Sequence, residues 1–130
     1  MTPEELIRHT FDVFNEHGFD SSVAEFWHPD AVYHEAPDFP GAGTFRGRAA
    51  VLERFAEYVD LLGTTRAEVE RVATRGDTVA WTVRFTGRSS EGVPNSHTWG
   101  YVSRIVDGLV TETQAYYHAE DAFRALEAEH

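Results

Sequence analysis

The chain contains no cysteine in its 130 residues, which excludes disulfide bridges and thiolate zinc sites. Basic residues are also scarce, because 11 lysines and arginines stand against 22 acidic residues, for a formal net charge of −11. Such a surface repels phosphate groups, so we expect no binding to nucleic acid or to an anionic membrane. Long apolar runs are missing, and the first residues lack the basic and apolar regions of a signal peptide. We therefore expect a cytoplasmic protein.

Aromatic residues, in contrast, are plentiful. Nine phenylalanines, five tyrosines and three tryptophans make up 13% of the chain, and 42% of all residues are hydrophobic. This is enough apolar material for one core, and the length suits one domain, which we predict to span residues 1–130. The surplus of rings also favours an aromatic-lined cavity for a ligand.

The first half of the chain carries three helical patterns. Thr2-Pro3-Glu4-Glu5 is a capping box with proline at the first helical position, and Gly18 can end this helix. A short second helix is predicted with its cap at Asp20 or Ser21. The clearest helix is predicted at residues 48–62, where one apolar stripe contains Val51, Leu52, Phe55, Tyr58, Val59 and Leu62.

The second half alternates with a period of two, which is typical of strands. An early strand is expected at Ala31-Val32-Tyr33, a hairpin turn at Asp107-Gly108 and a short helix at residues 119–128. Four long strands are predicted, at residues 65–74, 78–88, 96–106 and 109–118. This order predicts an α+β domain in which a cone-shaped, curved, mixed or antiparallel sheet wraps around three helices and encloses a cavity.

The segment AVYHEAPDFPG, residues 31–41, places a carboxylate at the end of an apolar strand. Glu35 is a candidate general base at the cavity rim, because burial beside Tyr33 and Phe39 would disfavour its charged form. The alternative is a solvated residue that only starts the loop. Its neighbour His34 should point to the opposite face, outside the cavity.

Seven histidines raise the question of a metal site. No His-x-His, His-x-x-x-His or His-Glu-x-x-His spacing occurs, although these spacings are typical of metal sites. The residues that could supply ligands are scattered along the chain: His28, His34, Glu35, His97 and His118. We therefore predict neither a metal nor another cofactor.

Four stretches of the chain resemble the SnoaL-like and ketosteroid-isomerase-like proteins of the nuclear transport factor two superfamily. They are FWHPDAV at 26–32, FRGRAAV at 45–51, RIVDGLV at 104–110 and QAYY at 114–117. The resemblance implies the cone-shaped fold and a pocket. It does not select one activity, because the superfamily holds isomerases, polyketide cyclases, epoxide hydrolases, dehydratases and non-catalytic binders.

Carried to single positions, the resemblance implies that Glu35 is the general base and that Tyr101 occupies the position of an oxyanion donor. Phe11 occupies the position of a helix-one tyrosine and cannot donate a hydrogen bond. Ala115 stands where SnoaL-like cyclases carry an aspartate, and the Asp-Arg-Asp set of epoxide hydrolases cannot be assembled on these strands. The chain therefore departs from each of these enzymes in at least one catalytic position.

Alternation along residues 96–106 puts His97, Trp99 and Tyr101 on one face of a strand. If Tyr101 faces the cavity, His97 can shuttle a proton or donate to an oxyanion, and Trp99 can form an aromatic wall. A half-exposed histidine and an ordinary core tryptophan are equally consistent with the pattern. The predicted substrate-binding residues are Tyr33, Phe39, Phe55, Trp81, Trp99 and Tyr117.

These observations predict a cofactor-free acid–base enzyme, an isomerase or cyclase, acting on a small apolar ketone, enone or polyketide-like substrate. Glu35 would remove a proton next to a carbonyl, and Tyr101, alone or with His97, would stabilise the enolate. A hydrolase or dehydratase using the same pocket and a non-catalytic small-molecule-binding or dimerisation module are the alternatives. A homodimer is also expected, through outer sheet residues such as Thr82, Arg84, Val110 and Tyr116.

Overall fold

We describe the protein from a computed structural model, which covers residues 1–38, 41–88 and 91–128, with backbone only at positions 65 and 95. The predicted ligand residue Phe39 lies outside these described residues. Within them the chain forms four helices and six strands. These are α1 (Pro3–His17), α2 (Phe19–Phe26), β1 (Trp27–His34), β2 (Thr44–Arg46), α3 (Arg48–Leu62), β3 (Thr64–Arg75), β4 (Thr78–Arg88), β5 (Pro94–Val106), β6 (Leu109–Tyr116) and α4 (Glu120–Ala128).

The six strands form one mixed, open sheet in the order β2-β1-β6-β5-β4-β3. Strands β1 and β6 pair in parallel, and every other neighbouring pair is antiparallel. Helices α1, α2 and α3 pack on the inner face of the sheet, whereas α4 packs on its outer face against β4 and β5. The predicted α+β fold is confirmed. None of the described helices is long and apolar enough to cross a bilayer.

The ends of α1 and α3 follow from local chemistry, as predicted. The Thr2 hydroxyl accepts from the Glu5 amide, and the Glu5 carboxylate accepts from the Thr2 amide, which completes the capping box at α1. Helix α3 ends at Gly63, whose φ of 64° is left-handed. A side chain at Gly63 would also collide with the Arg88 carbonyl, because a Cβ atom there would lie 1.4 Å from that oxygen.

The prediction that Asp20 or Ser21 caps the second helix is wrong. Helix α2 begins at Phe19, directly after Gly18, and it has no side-chain cap. The positive φ of 89° at Gly18 lets the chain pass from one helix into the next without an intervening loop. Strand β1 then begins at Trp27, so the motif His28-Pro29-Asp30 lies inside the strand, beside an irregularity in its register with β6.

The bounds of the four long strands, β3 to β6, agree with the predicted bounds except at some of their ends. The predicted bounds of β4 are confirmed, and the hairpin between β5 and β6 turns through Asp107 and Gly108, which both have positive φ. Strand β6 ends at Tyr116 instead of residue 118. The chain turns here because the Asp121 amide donates to the His118 carbonyl, which begins the path into α4.

The outer face of the sheet is covered where α4 crosses it. Phe123 and Leu126 of α4 are buried against Ala80 and Val102, and the Arg71 guanidinium lies 3.9 Å from the centre of the Phe123 ring. Residues 78–83 of β4 are consequently buried on both faces. Thr82 is among these buried residues. Tyr116 packs against the cluster that Phe123 and Leu126 form with Ala80 and Val102.

Candidate functional site

A cavity of about 370 Å³ lies between the inner face of the sheet and helices α1, α2 and α3. Its wall is mainly aromatic and aliphatic. The apolar side chains that line it are Ile7, Phe11, Phe19, Val23, Trp27, Ala36, Phe55, Leu62, Trp81, Phe85, Trp99 and Val110. Such a wall favours an apolar ligand, and a small number of polar groups would fix its orientation.

Val110 corrects one expectation about the outer face. It was expected outside the cavity, but it is 1% exposed and lines the cavity. Val110 lies on the inner face because it pairs with Ile105 next to a register shift between β5 and β6. Ile105 is also part of the inner core.

Glu35 is the carboxylate among the described residues that line the cavity. It follows the last residue of β1, and its side chain is only 2% exposed. Period two along the strand puts Tyr33 and Glu35 on the inner side, while His34 points outward to Glu112 at 2.8 Å and Thr44 at 3.0 Å. The solvated alternative for Glu35 is therefore wrong, and the outward position expected for His34 is correct.

Three donors hold the Glu35 carboxylate. The Arg54 Nε atom donates to Oε2 at 2.9 Å, and the Tyr58 hydroxyl donates to the same oxygen. The Gly43 amide donates to Oε1 at 3.1 Å. A carboxylate offers about four lone-pair positions, so Oε1 retains one that these contacts do not use. This remaining position is where the carboxylate can accept a proton from a bound molecule.

The sequence analysis missed the contacts of Arg54 and Tyr58 with Glu35. Besides Glu35, Arg54 contacts Glu57, at 2.7 Å, and its guanidinium lies over the rings of Tyr58 and Phe45. Its hydrogen bond to Glu35 raises the pKa of Arg54 above its usual value, so the guanidinium stays charged. The available signal was the spacing of four between Arg54 and Tyr58, which places both side chains on one side of α3.

Two tyrosine hydroxyls in the cavity have no hydrogen-bond partner among the described residues. They belong to Tyr33 and Tyr101, which both line the cavity. Burial raises the pKa of Tyr33 well above its usual range, and the neighbouring Tyr101 and Glu35 raise it further. Burial likewise raises the pKa of Tyr101. Both side chains therefore remain neutral phenols that can donate a hydrogen bond.

His97, Trp99 and Tyr117 form an aromatic group at a more exposed part of the wall. The His97 ring stacks on Tyr117 with 4.3 Å between centroids, and Trp99 meets both rings edge-on. His97 Nε2 donates to the Tyr117 carbonyl at 3.0 Å, because a carbonyl can only accept. Nε2 is thus already occupied by this carbonyl and is not free for the donor role expected of His97.

The structure thus brings the predicted catalytic and ligand residues to one cavity, apart from Phe39, which is outside the described residues. The lining residues from the sequence analysis are Tyr33, Glu35, Phe55, Trp81, His97, Trp99, Tyr101 and Tyr117. Phe11 also lines the cavity and contributes no donor. Ala115 is buried in the inner core. No group of three or more metal-ligating side chains occurs among the described residues.

An open, curved sheet with helices inside it and a cavity between them defines the class of cone-shaped α+β proteins. Within this class the SnoaL-like domain family matches residues 7–113, so the chain belongs to that family. The match covers most of the chain and includes the strands and helices that surround the cavity. The resemblance stated from sequence is confirmed.

Solved structures agree with this fold. A proposed SnoaL-like polyketide cyclase from Mesorhizobium loti is 19% identical, with 90% of this chain and 100% of that chain covered and a TM-score of 0.72. A second proposed SnoaL-like polyketide cyclase, from Jannaschia sp. CCS1, is 18% identical, with coverage of 97% and 92% and a TM-score of 0.73. TerC, co-crystallised with polyporic acid, is 22% identical, with coverage of 94% and 95% and a TM-score of 0.75.

No curated protein matches the chain. The identities to the solved structures are low, so these similarities support the fold and leave the reaction to be argued from the cavity itself.

Proposed function

We propose that the protein is a cofactor-free acid–base enzyme that isomerises or cyclises a small apolar ketone, enone or polyketide-like substrate. One observation carries the proposal: the Glu35 carboxylate, with 2% of its side chain exposed, lies on the wall of an apolar cavity. Its three described donors leave one lone pair of the carboxylate unused, on the wall of a space that a substrate can fill.

In this mechanism Glu35 Oε1 removes a proton from the carbon next to the substrate carbonyl. The electron pair of that C–H bond moves to the carbonyl oxygen, and the Tyr101 hydroxyl stabilises the resulting enolate. Return of the proton to another carbon gives an isomer. Attack of the enolate carbon on a second carbonyl instead forms a ring, and Glu35 then returns its proton to the new alkoxide oxygen. Arg54 and Tyr58 hold the carboxylate in place.

The substrate class is supported by the wall and by the neighbours. The wall is rich in rings and offers phenol donors, which suit a flat molecule that carries oxygen atoms. Two neighbours are described as SnoaL-like polyketide cyclases, and another was crystallised with polyporic acid. These descriptions belong to the neighbours, and they favour a polyketide-like substrate here.

A hydrolase or dehydratase is the second candidate, and one observation favours it. Tyr58 donates to Glu35 and lines the cavity. In a hydrolysis Glu35 would take a proton from water while Tyr58 protonates the leaving group, and in a dehydration Glu35 would take a proton from carbon while Tyr58 protonates the leaving hydroxyl. A non-catalytic binding or dimerisation module is the candidate from another class. It is favoured by the three donors that hold Glu35, because they would stabilise the carboxylate in a purely structural role.

Hydrogen–deuterium exchange next to a ketone tests the proposal without the natural substrate. The protein is mixed with 2-tetralone in D₂O, and NMR follows loss of the proton beside the carbonyl. We expect the wild type to accelerate exchange and Glu35→Gln to lose at least ~10²-fold of that acceleration, because the base is removed at nearly constant volume. Tyr101→Phe should lose ~10²–10³-fold with little change in affinity, since it acts mainly on the enolate.

Glu57→Gln is the matched control. Glu57 also binds Arg54, but its side chain is 58% exposed and it is not among the residues that line the cavity. This variant should retain exchange within a few-fold of the wild type. If 2-tetralone binds and the wild type leaves its exchange rate unchanged, proton abstraction is not the activity and the binding module is favoured.

A further inference from the structure

The indole N–H of Trp81 is buried and has no hydrogen-bond acceptor among the described residues. Trp81 lies on the inner face of β4, is 3% exposed and lines the cavity. Of the buried side-chain nitrogen atoms in the described part of the chain, Nε1 of Trp81 is the one without a partner. Native proteins leave few buried donors unpaired, and a water or a ligand usually completes those that remain.

No described residue around the indole accepts a hydrogen bond from it. The Phe11 ring lies 6.4 Å from the indole, centroid to centroid, and carries no polar atom. Ser103 on β5 and Thr113 on β6 are buried hydroxyls that bond to each other at 2.5 Å. A ligand or a buried water is the usual acceptor for a donor that the protein leaves unpaired.

Tyr101 stands directly beside this donor. Trp81 and Tyr101 are paired residues on β4 and β5, and their rings stack with 5.1 Å between centroids and 21° between planes. The Tyr101 hydroxyl also has no partner among the described residues, and burial raises its pKa so that it remains a donor. Two unpaired donors thus occur on adjacent side chains in the wall of one cavity.

We propose that the Trp81 N–H binds an acceptor oxygen of the ligand beside Tyr101, and that the cavity therefore selects a flat, ring-containing carbonyl compound such as a benzo-fused ketone or a quinone. This inference rests on the proposed function, because the bound oxygen is the one that becomes the enolate. A hydrocarbon would leave both donors unpaired. A phosphate or carboxylate would need a cation, and Arg54 is engaged with Glu35 and Glu57.

NMR of the indole groups tests this inference directly. The chain has three tryptophans, so protein labelled with ¹⁵N at the indole gives three indole N–H signals, and Trp81→Phe identifies the one from Trp81. The labelled wild type is titrated with 2-tetralone and, separately, with tetralin, which has the same rings and no oxygen. We expect 2-tetralone to shift the Trp81 signal downfield and tetralin to leave it nearly unmoved.

Affinity measurements give a second readout. Trp81→Phe should weaken the binding of 2-tetralone about tenfold and change the affinity for tetralin by no more than about twofold. The reason is that the substitution removes a donor and keeps an aromatic ring. Trp27→Phe is the control, since Trp27 also lines the cavity but its indole nitrogen is not a buried unpaired donor. This change should alter both affinities by the same factor. If Trp81→Phe does not fold, Trp27→Phe and Trp99→Phe assign the Trp81 signal by elimination, and the wild-type titration then decides alone.

The outcomes separate this inference from the proposed activity. A shifted Trp81 signal without deuterium exchange keeps the carbonyl site and removes the enzyme. Exchange without a shift keeps the enzyme and overturns the role of Trp81, whose N–H would then be satisfied by buried water. Failure of both compounds to bind at millimolar concentration contradicts the ligand class.

Discussion

Arg54 is the cation that pairs with the buried Glu35 carboxylate. The pair is largely buried, with 2% of the Glu35 side chain and 25% of the Arg54 side chain exposed. Removing one partner of such a pair leaves the other charge without compensation, whereas an exposed pair contributes little because water screens it. The same contact that stabilises the fold therefore also sets the position of the proposed base.

We expect Arg54→Met to lower the free energy of unfolding by roughly 3 kcal/mol, measured by urea denaturation. The control is Arg84→Met, which breaks a contact of 2.7 Å to Glu68 in which both side chains are more than 40% exposed. This control should cost less than about 1 kcal/mol. Equal losses in the two variants would show that Glu35 does not need its cation.

The buried phenols predict a loss of stability at alkaline pH. Burial raises the pKa of Tyr33 and of Tyr101 in the folded state, so the unfolded chain releases these protons first, near pH 10. Stability is fully present below that pH and falls as the pH rises above it, by up to about 1.4 kcal/mol per pH unit for each tyrosine. Urea denaturation between pH 8 and pH 11 measures this slope.

Tyr33→Phe should make that slope shallower, because it removes one of the two ionising groups. Tyr117→Phe serves as the control, since its ring is 40% exposed and should leave the slope as in the wild type. A wild-type slope in Tyr33→Phe would mean that this phenol does not resist ionisation in the folded protein.

At the scale of elements, local signals predicted what they control and missed what distant residues control. Helix α3 was predicted with both ends, because its apolar stripe and Gly63 lie within the segment itself. The start of α2 was missed, since Gly18 replaces a side-chain cap with a backbone angle. The contact of Arg54 with Glu35 joins a helix to a strand end 19 residues away, and no periodicity in the sequence reports it.

The alternating pattern also did not predict where α4 packs on the sheet. Residues 78–83 of β4 are buried on both faces, although the sequence suggests one inner and one outer face. Gly100 on β5 is the position that lets α4 approach, because a Cβ atom there would lie 2.6 Å from the Ala119 carbonyl oxygen. The role of Gly100 can be explained only once the relative positions of β5 and α4 are known.

We expect Gly100→Ala to lower the free energy of unfolding by about 1–3 kcal/mol, because the new methyl group meets backbone atoms that cannot move without shifting α4. Gly43→Ala is the control: its Cβ atom would be 3.8 Å from the Phe45 ring, an ordinary contact. Urea denaturation compares the two. A Gly100→Ala protein as stable as the wild type would mean that α4 is not closely packed on the sheet.

At the scale of the whole molecule, net charge and the covered outer face limit how two copies could associate. Each chain carries −11 formal charges, so two copies repel each other at long range. Thr82 is 7% exposed, and Tyr116 packs against the cluster that α4 forms with β4 and β5, which leaves a polar part of the outer face around Arg84, Glu68 and Glu70. The homodimer that we propose would use this polar part, and its association should strengthen as salt screens the repulsion.

Light scattering at micromolar concentration should therefore give a mass closer to two chains at 0.5 M NaCl than at 0.02 M NaCl. Arg84→Glu should favour the monomer at both salt concentrations, because it adds repulsion at the proposed contact. Arg8→Glu, on α1, is the matched control: each change takes the formal charge from −11 to −13, since one positive charge is lost and one negative charge is gained. It should weaken association less than Arg84→Glu does, because α1 packs on the inner face of the sheet.

A single-chain mass for the wild type at both salt concentrations would contradict the homodimer. Equal effects of the two substitutions would show that the contact between the two copies does not lie on the outer sheet face.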